Sequence, residues 1–168
     1  LSGLPLVLAG PTPARATEAA DLLDMSIEDL LGIEVTSASR KKQSLAQTPS
    51  ALFVITRDDI RRTGVRSIPE ALRLAPGLQV AQIDANKWAI TARGFNGRYA
   101  NKLLVLMDGR TLYTPSFSGV FWDVQDTMLE DIERIEVIRS PGGTVWGSNA
   151  VNGVINIITR DARETSGN

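Results

Sequence analysis

A chain of 168 residues with 43% hydrophobic and 22% charged residues has enough apolar surface for one domain with a real core. A net charge of −1 gives no electrostatic case for nucleic acid. Histidine and cysteine are both absent, which removes Ser-His-Asp and Cys-His catalysis, disulfides, and zinc or haem sites built on those ligands.

The first twenty residues are rich in Pro, Ala and Thr. The apolar run Leu4 to Gly10, followed by Ala14-Arg15-Ala16, has the look of a clipped signal peptide with a small-x-small cleavage site. It is shorter than the ~20 residues a bilayer-spanning helix needs. Residues 1–20 are therefore expected to be a signal remnant and unfolded tail. Residues 21–47 read as a separate N-terminal segment. Ser26 and Asp29 stand at capping-box spacing and Gly32 is a stop, so a short amphipathic helix is expected there. An extended polar stretch follows from Glu34 to Ser39, and then the basic run Arg40 to Gln43.

The compact domain is expected over 48–162. Ala51 to Ile55 reads as a buried strand, and Thr56 through Asp59 caps a short helix that ends at Gly64. Ser67-Ile68-Pro69-Glu70 is a second capping box with proline in the first turn, and Pro76-Gly77 ends that helix. Leu78 to Ile83 alternates as a strand, and Trp88 to Arg93 is another. Leu103 to Met107 is a continuous apolar run of the central-strand kind. Asp108-Gly109 signals a two-residue hairpin into Arg110 to Tyr113. Thr127 to Glu130 has a third capping-box spacing and should open a short helix. Strands are expected near Ile135 to Arg139 and at Val154 to Thr159, joined by a glycine-rich connection. Residues 163–168 read as a linker. Helices and strands interleave, so the fold class is α+β, a small mixed sheet with short helices and long loops.

Taken in order, these segments resemble the plug domain of TonB-dependent outer-membrane receptors. The likeness is carried by Arg134-Ile135-Glu136-Val137-Ile138-Arg139-Ser140-Pro141, Trp146-Gly147, and Asn152-Gly153-Val154-Ile155-Asn156-Ile157. Arg93-Gly94-Phe95 and Leu106-Met107-Asp108-Gly109 add to it, and the whole covers about residues 33 to 160. Ser140 stands where the family usually has glycine, Trp146 where it has tyrosine, and Asn152 where it has the first glycine of a pair. Serine and asparagine there put the local turn geometry in question.

The resemblance implies a domain lodged in a roughly 22-stranded outer-membrane β-barrel that this chain does not include. It implies that Arg93 and Arg139 pair with glutamates of the barrel wall, with Glu133 and Glu136 adding charge beside them. The alternative is that these arginines are solvated or paired inside the domain. Glu34, Val35, Thr36, Ser37 and Ala38 resemble a TonB box, an extended segment that adds a strand to the periplasmic domain of TonB; plain linker is the alternative.

The upper loops are expected to meet a small-molecule or metal-chelate substrate, such as a ferric siderophore. Their aromatic and polar residues are Trp88, Phe95, Asn96, Arg98, Tyr99, Tyr113, Phe117, Phe121 and Trp122. Ordinary loop packing is the alternative for each. No cofactor, metal or catalytic residue is expected. Gly142 to Gly147 lacks the Gly-Lys-Ser/Thr ending of a phosphate loop, and Asp108 and Asp126 have turn and helix-start explanations. A free-standing periplasmic binding or signalling module with a plug-like fold is the competing reading.

Overall fold

The structure, a computed structural model, describes residues 51–161 and the paired segments 34–35 and 43–44. The signal remnant expected over 1–20, the helix expected over 21–32, Thr36 to Ala38 and the linker expected over 163–168 lie outside the described residues. In the N-terminal segment β1 (Glu34–Val35) pairs antiparallel with β2 (Gln43–Ser44), setting Glu34 opposite Ser44 and Val35 opposite Gln43.

The domain begins with β3 (Leu52–Thr56) and runs directly into α1 (Arg57–Thr63). The capping box is complete. The Thr56 hydroxyl accepts from the Asp59 amide at 3.2 Å, and the Asp59 carboxylate accepts from the Thr56 amide at 2.8 Å. Gly64, at φ 64°, ends the helix. α2 (Ile68–Ala71) starts at Ser67, whose hydroxyl accepts from the Glu70 amide at 3.4 Å. This box is only half formed, because the Glu70 carboxylate accepts from the Arg66 amide at 2.7 Å instead. A 3-10 turn, Leu72–Leu74, then leads to Pro76-Gly77.

β4 (Leu78–Gln82) and β5 (Trp88–Ala92) form a separate two-stranded sheet. β6 (Leu103–Met107) turns at Asp108 and Gly109, at φ 49° and 77°, into β7 (Arg110–Thr111). Two positive φ values make the primed turn that suits the strand twist. β7 is shorter than the expected four residues, though Leu112 still donates to the Val105 carbonyl at 3.0 Å. β8 (Ile132–Ile138), α3 (Gly143–Trp146) and β9 (Gly153–Thr159) complete the chain.

The main sheet has the order β3-β8-β9-β6-β7. β6 and β9 are parallel and every other neighbour is antiparallel. Both faces of the central strands are covered, which is why Leu103 to Met107 carries no polar alternation. One face holds the main core: Ile55, Leu103, Val105, Ile135, Val137, Ile155 and Ile157 pack with Ile60, Ile68, Leu72, Trp88, Ile90 and Trp122. The other packs Leu104, Leu106, Ile138 and Val154 with Ala150, Leu52 and Trp146.

Three expectations are corrected. Thr127 caps no α-helix: a 3-10 turn runs from Leu129 to Asp131 without a side-chain cap, and the Thr127 hydroxyl donates to the Met107 sulfur at 3.6 Å. The 142–147 connection contains a helical turn, α3, with Val145 and Trp146 donating to the Gly142 carbonyl. Neither Ser140 nor Asn152 takes positive φ; the non-glycine residues that do are Arg93, Phe95, Asp108 and Ser118 among the described residues.

Candidate functional site

Three loops leave the sheets and gather around Arg98. The first is the β4–β5 turn. Asp84 in this turn accepts from Lys87 Nζ at 3.0 Å and from the Ala85 amide at 2.8 Å. The Lys87 hydrogen bond, the Ala85 amide and the Lys87 charge hold the Asp84 carboxyl below the usual aspartate range, with Arg98 contributing at longer range. The second loop follows β5. Arg93, Gly94 and Phe95 stand at φ 62°, 89° and 58°, three successive residues in the left-handed region. For two non-glycine residues this is unfavourable, and such conformations cluster at ligand clamps and switches. The Thr91 hydroxyl ties this bend by donating to the Gly94 carbonyl at 3.1 Å. The third loop, 113–121, returns from β7.

Arg98 faces Asp123 at 3.8 Å and lies 5.5 Å from the Tyr99 ring centre. Tyr99, Phe117 and Phe121 form an edge-to-face chain with centroid separations of 5.1 and 4.9 Å. Two asparagines fix the third loop. Asn101 donates to the Phe117 carbonyl at 3.4 Å, and Asn149 to the Ser118 carbonyl at 3.0 Å. Gly119 is pressed so close that a Cβ there would lie 2.6 Å from the Ala100 carbonyl oxygen. Composition pointed to these loops, but Asn101 and Asn149 were not singled out, because an isolated asparagine in a Gly-rich loop carries no spacing signal.

The nine residues expected to face substrate divide. Phe95 is 92% exposed, and Tyr99 and Tyr113 are also exposed. Asn96 is exposed, while Arg98, Phe117 and Phe121 are half-buried. Trp88 and Trp122 are not loop-surface residues. Both are buried in the main core, and Arg73 lies 5.2 Å over the Trp88 ring. An indole large enough to cover the sheet is more stable beneath the loops than at their tips.

The four residues expected to meet a barrel wall also divide. Arg93 is exposed and makes no ion pair among the described residues. Arg139 is half-buried, donates from Nη1 to the Pro76 carbonyl at 2.9 Å, and lies across Gly77. Its Nε is buried without a partner. Glu133 is exposed and pairs with Arg134. Glu136 is fully buried and accepts from Arg134 Nε at 2.9 Å, so a folded sheet cannot present it to a wall. The burial of its β-strand neighbours Ile135 and Val137 extends across this position, which the charged residue alone did not announce.

The model of the TonB-dependent receptor plug domain family matches residues 44–154. The chain belongs to this family. The vitamin B12 transporter of Vibrio vulnificus is 33% identical over 135 residues, 79% of this chain and 21% of the transporter. The iron-regulated outer membrane virulence protein of Vibrio cholerae is 36% identical over 141 residues, again 21% of that protein. Among solved structures, the siderophore receptor PirA of Acinetobacter baumannii matches at TM-score 0.52 and 30% identity over 67% of the chain and 18% of PirA. A chain of the FpvAI–pyocin S2 complex matches at TM-score 0.62 and 23% identity over 76% of this chain and 16% of that chain, a likeness of fold. The plug chain thus spans about a fifth of the length of the curated relatives it matches.

Proposed function

We propose that this plug domain gates an outer-membrane receptor, binding a scarce nutrient with its loops and passing that event to TonB. The observation that carries the reading is the convergence of the 93–102 and 113–121 loops, from separate parts of the chain, on Arg98 and the Tyr99–Phe117–Phe121 chain. A rigid sheet beneath them makes the arrangement a platform for a ligand. The relatives named above include a vitamin B12 transporter and a siderophore receptor, which supports a small chelate or corrinoid as the class of cargo in this reading.

Arg93 is the residue to pair with a barrel carboxylate. It is exposed and held at a strained bend, and guanidinium suits bidentate pairing. Arg139 is committed through Nη1 to the Pro76 turn and serves the wall only with what remains of its fork. The Glu34–Val35 backbone is extended and strand-paired, the conformation in which a partner's edge strand would take it. Thr36, Ser37 and Ala38 complete the TonB-binding segment in this reading.

The test uses the full-length receptor. Val35→Pro removes an amide donor and should abolish binding to the periplasmic domain of TonB while leaving ligand binding intact. Arg93→Glu should weaken retention of the plug and lower uptake. Normal TonB binding by the first variant would place the box elsewhere. Unchanged uptake and retention in the second would remove Arg93 from the barrel contact.

A further inference from the structure

We infer that the chain carries a self-modifying site at Asn96, where the Gly97 amide closes on the Asn96 side chain and the asparagine becomes aspartate or isoaspartate. The backbone nitrogen of Gly97 attacks Asn96 Cγ, a C–N bond forms, and the side-chain nitrogen leaves as ammonia. The resulting succinimide takes up one water, which opens either of its two carbonyl–nitrogen bonds. A carboxylate then stands where a neutral amide stood. The step needs no oxidant, metal or second protein. Glycine is the sensitive following residue because it has no side chain to block the approach.

The sequence offers this chemistry at three places, Asn96-Gly97, Asp108-Gly109 and Asn152-Gly153, and the fold leaves one of them open. Asn152 is half-buried, its side-chain nitrogen is buried, and its backbone amide donates to the Lys102 carbonyl at 2.8 Å. Gly153 is held in the ladder opposite Leu103. Asp108 is exposed, but both its carboxylate oxygens are engaged: one accepts from the Thr159 amide at 2.9 Å, the other from the Thr159 hydroxyl at 2.8 Å. Asn96 has no such ties. It is exposed, and among the described residues neither its side chain nor the Gly97 N–H is hydrogen-bonded. The turn bond from the Ala100 amide at 3.1 Å uses the Gly97 carbonyl and leaves the nitrogen free. A Cβ on Gly97 would meet nothing within 4 Å, so the ring has room to close. The product sets a carboxylate two residues along the chain from Arg98 and three from Arg93. It lowers the positive charge of the loop that the receptor reading turns toward ligand.

The experiment incubates the full-length receptor, in outer-membrane fractions, in mildly alkaline buffer. Peptides are mapped by mass spectrometry over time, with aspartate and isoaspartate resolved by fragmentation. Asn96 should convert to both products, about tenfold or more faster than Asn152, which reacts only when β9 opens. Isoaspartate at Asp108 should trail Asn96 as well. After denaturation the two Asn-Gly sites should approach one rate, because the fold no longer separates them. Gly97→Ala places its methyl in open space and leaves the backbone region unchanged, yet it should slow conversion of Asn96 several-fold. An Asn96 that stays intact, converts to aspartate alone, or only matches Asn152 in the folded receptor overturns the inference. So does equal conversion in the Gly97→Ala receptor, or an Asn152 that remains slow once denatured. Wild-type receptor alone supplies every comparison but one should the variant fail to assemble. None of these outcomes alters TonB binding through Val35, which tests the receptor reading separately.

Discussion

Gly153 is the position at which a single methyl group should do the most damage. It opens β9, opposite Leu103 of β6, and sits between two strands of the sheet. A Cβ there would lie 2.2 Å from the backbone carbonyl oxygen of Ile138 and 3.3 Å from Leu103 Cδ1. An ordinary carbon–oxygen approach is about 3.3 Å or more, so the backbones must part by roughly 1 Å. The obstacle is main chain in a paired strand, so no rotamer change relieves it. Overpacking of this kind costs about 1–3 kcal/mol, and weakening one or two ladder hydrogen bonds adds about 1 kcal/mol. Gly153→Ala should therefore destabilise the domain by about 3 kcal/mol and lower its Tm on the order of 10 °C. Urea denaturation followed by circular dichroism is the assay, with Gly143→Ala as control. A Cβ at Gly143 meets nothing within 4 Å, so that variant should stay within about 0.5 kcal/mol of the parent. A Gly153→Ala chain as stable as the control would refute the steric argument.

Arg134→Met should cost about 3 kcal/mol in the same assay, because it takes an ion-pair partner from the fully buried Glu136. Asp108→Ala should cost about 2 kcal/mol: it removes the acceptor for the Thr159 amide at 2.9 Å and hydroxyl at 2.8 Å and puts alanine at a left-handed turn position. Asp108→Asn should lose less, since asparagine tolerates that φ; equal losses would show that the turn conformation is not a factor. Lys87→Ala should raise the Asp84 pKa toward its ordinary value, read by carboxyl NMR titration, because Lys87 is the first cause of its depression. A depressed carboxyl stabilises above its unfolded value of about 3.9 and loses that contribution as pH falls through the lower folded value. The Lys87 variant should then match the parent's pH dependence between about pH 6 and 8 and differ only in acid.

What could be read from the sequence was local chemistry. Thr56 and Asp59, Gly64, Pro76-Gly77 and Asp108-Gly109 each specify a backbone event within four residues, and each forms as expected. The third capping box failed because Thr127 spends its hydroxyl on Met107, a contact twenty residues away that spacing cannot show. Trp88 and Trp122 were misplaced for a related reason: an aromatic residue beside a Gly-rich loop has the same composition signal whether it faces out or in. The resemblance located the position around Asn152 as special but not which residue carried the constraint. Asn152 is tolerated because its φ is ordinary, while the close approach of Ile138 falls on Gly153.

The parallel pairing of β6 with β9 was the least legible feature, and it accounts for the site. A parallel pair starts both strands at one end of the sheet, so Lys102 and Asn152, which precede β6 and β9, become neighbours, and the Asn152 amide donates to the Lys102 carbonyl at 2.8 Å. The connections that arrive there, 93–102 from β5 and 147–152 from α3, must share that end. β7 runs antiparallel to β6 and so delivers the 113–121 loop to the same place, where Asn101 and Asn149 reach it from either side. An antiparallel β6–β9 pair with the same residues would separate Lys102 from Asn152 by the length of a strand, roughly 15 Å or more, and leave no common pocket. The loops therefore converge because of strand direction, and changes to loop residues can retune the ligand without disturbing the sheet that brings them together.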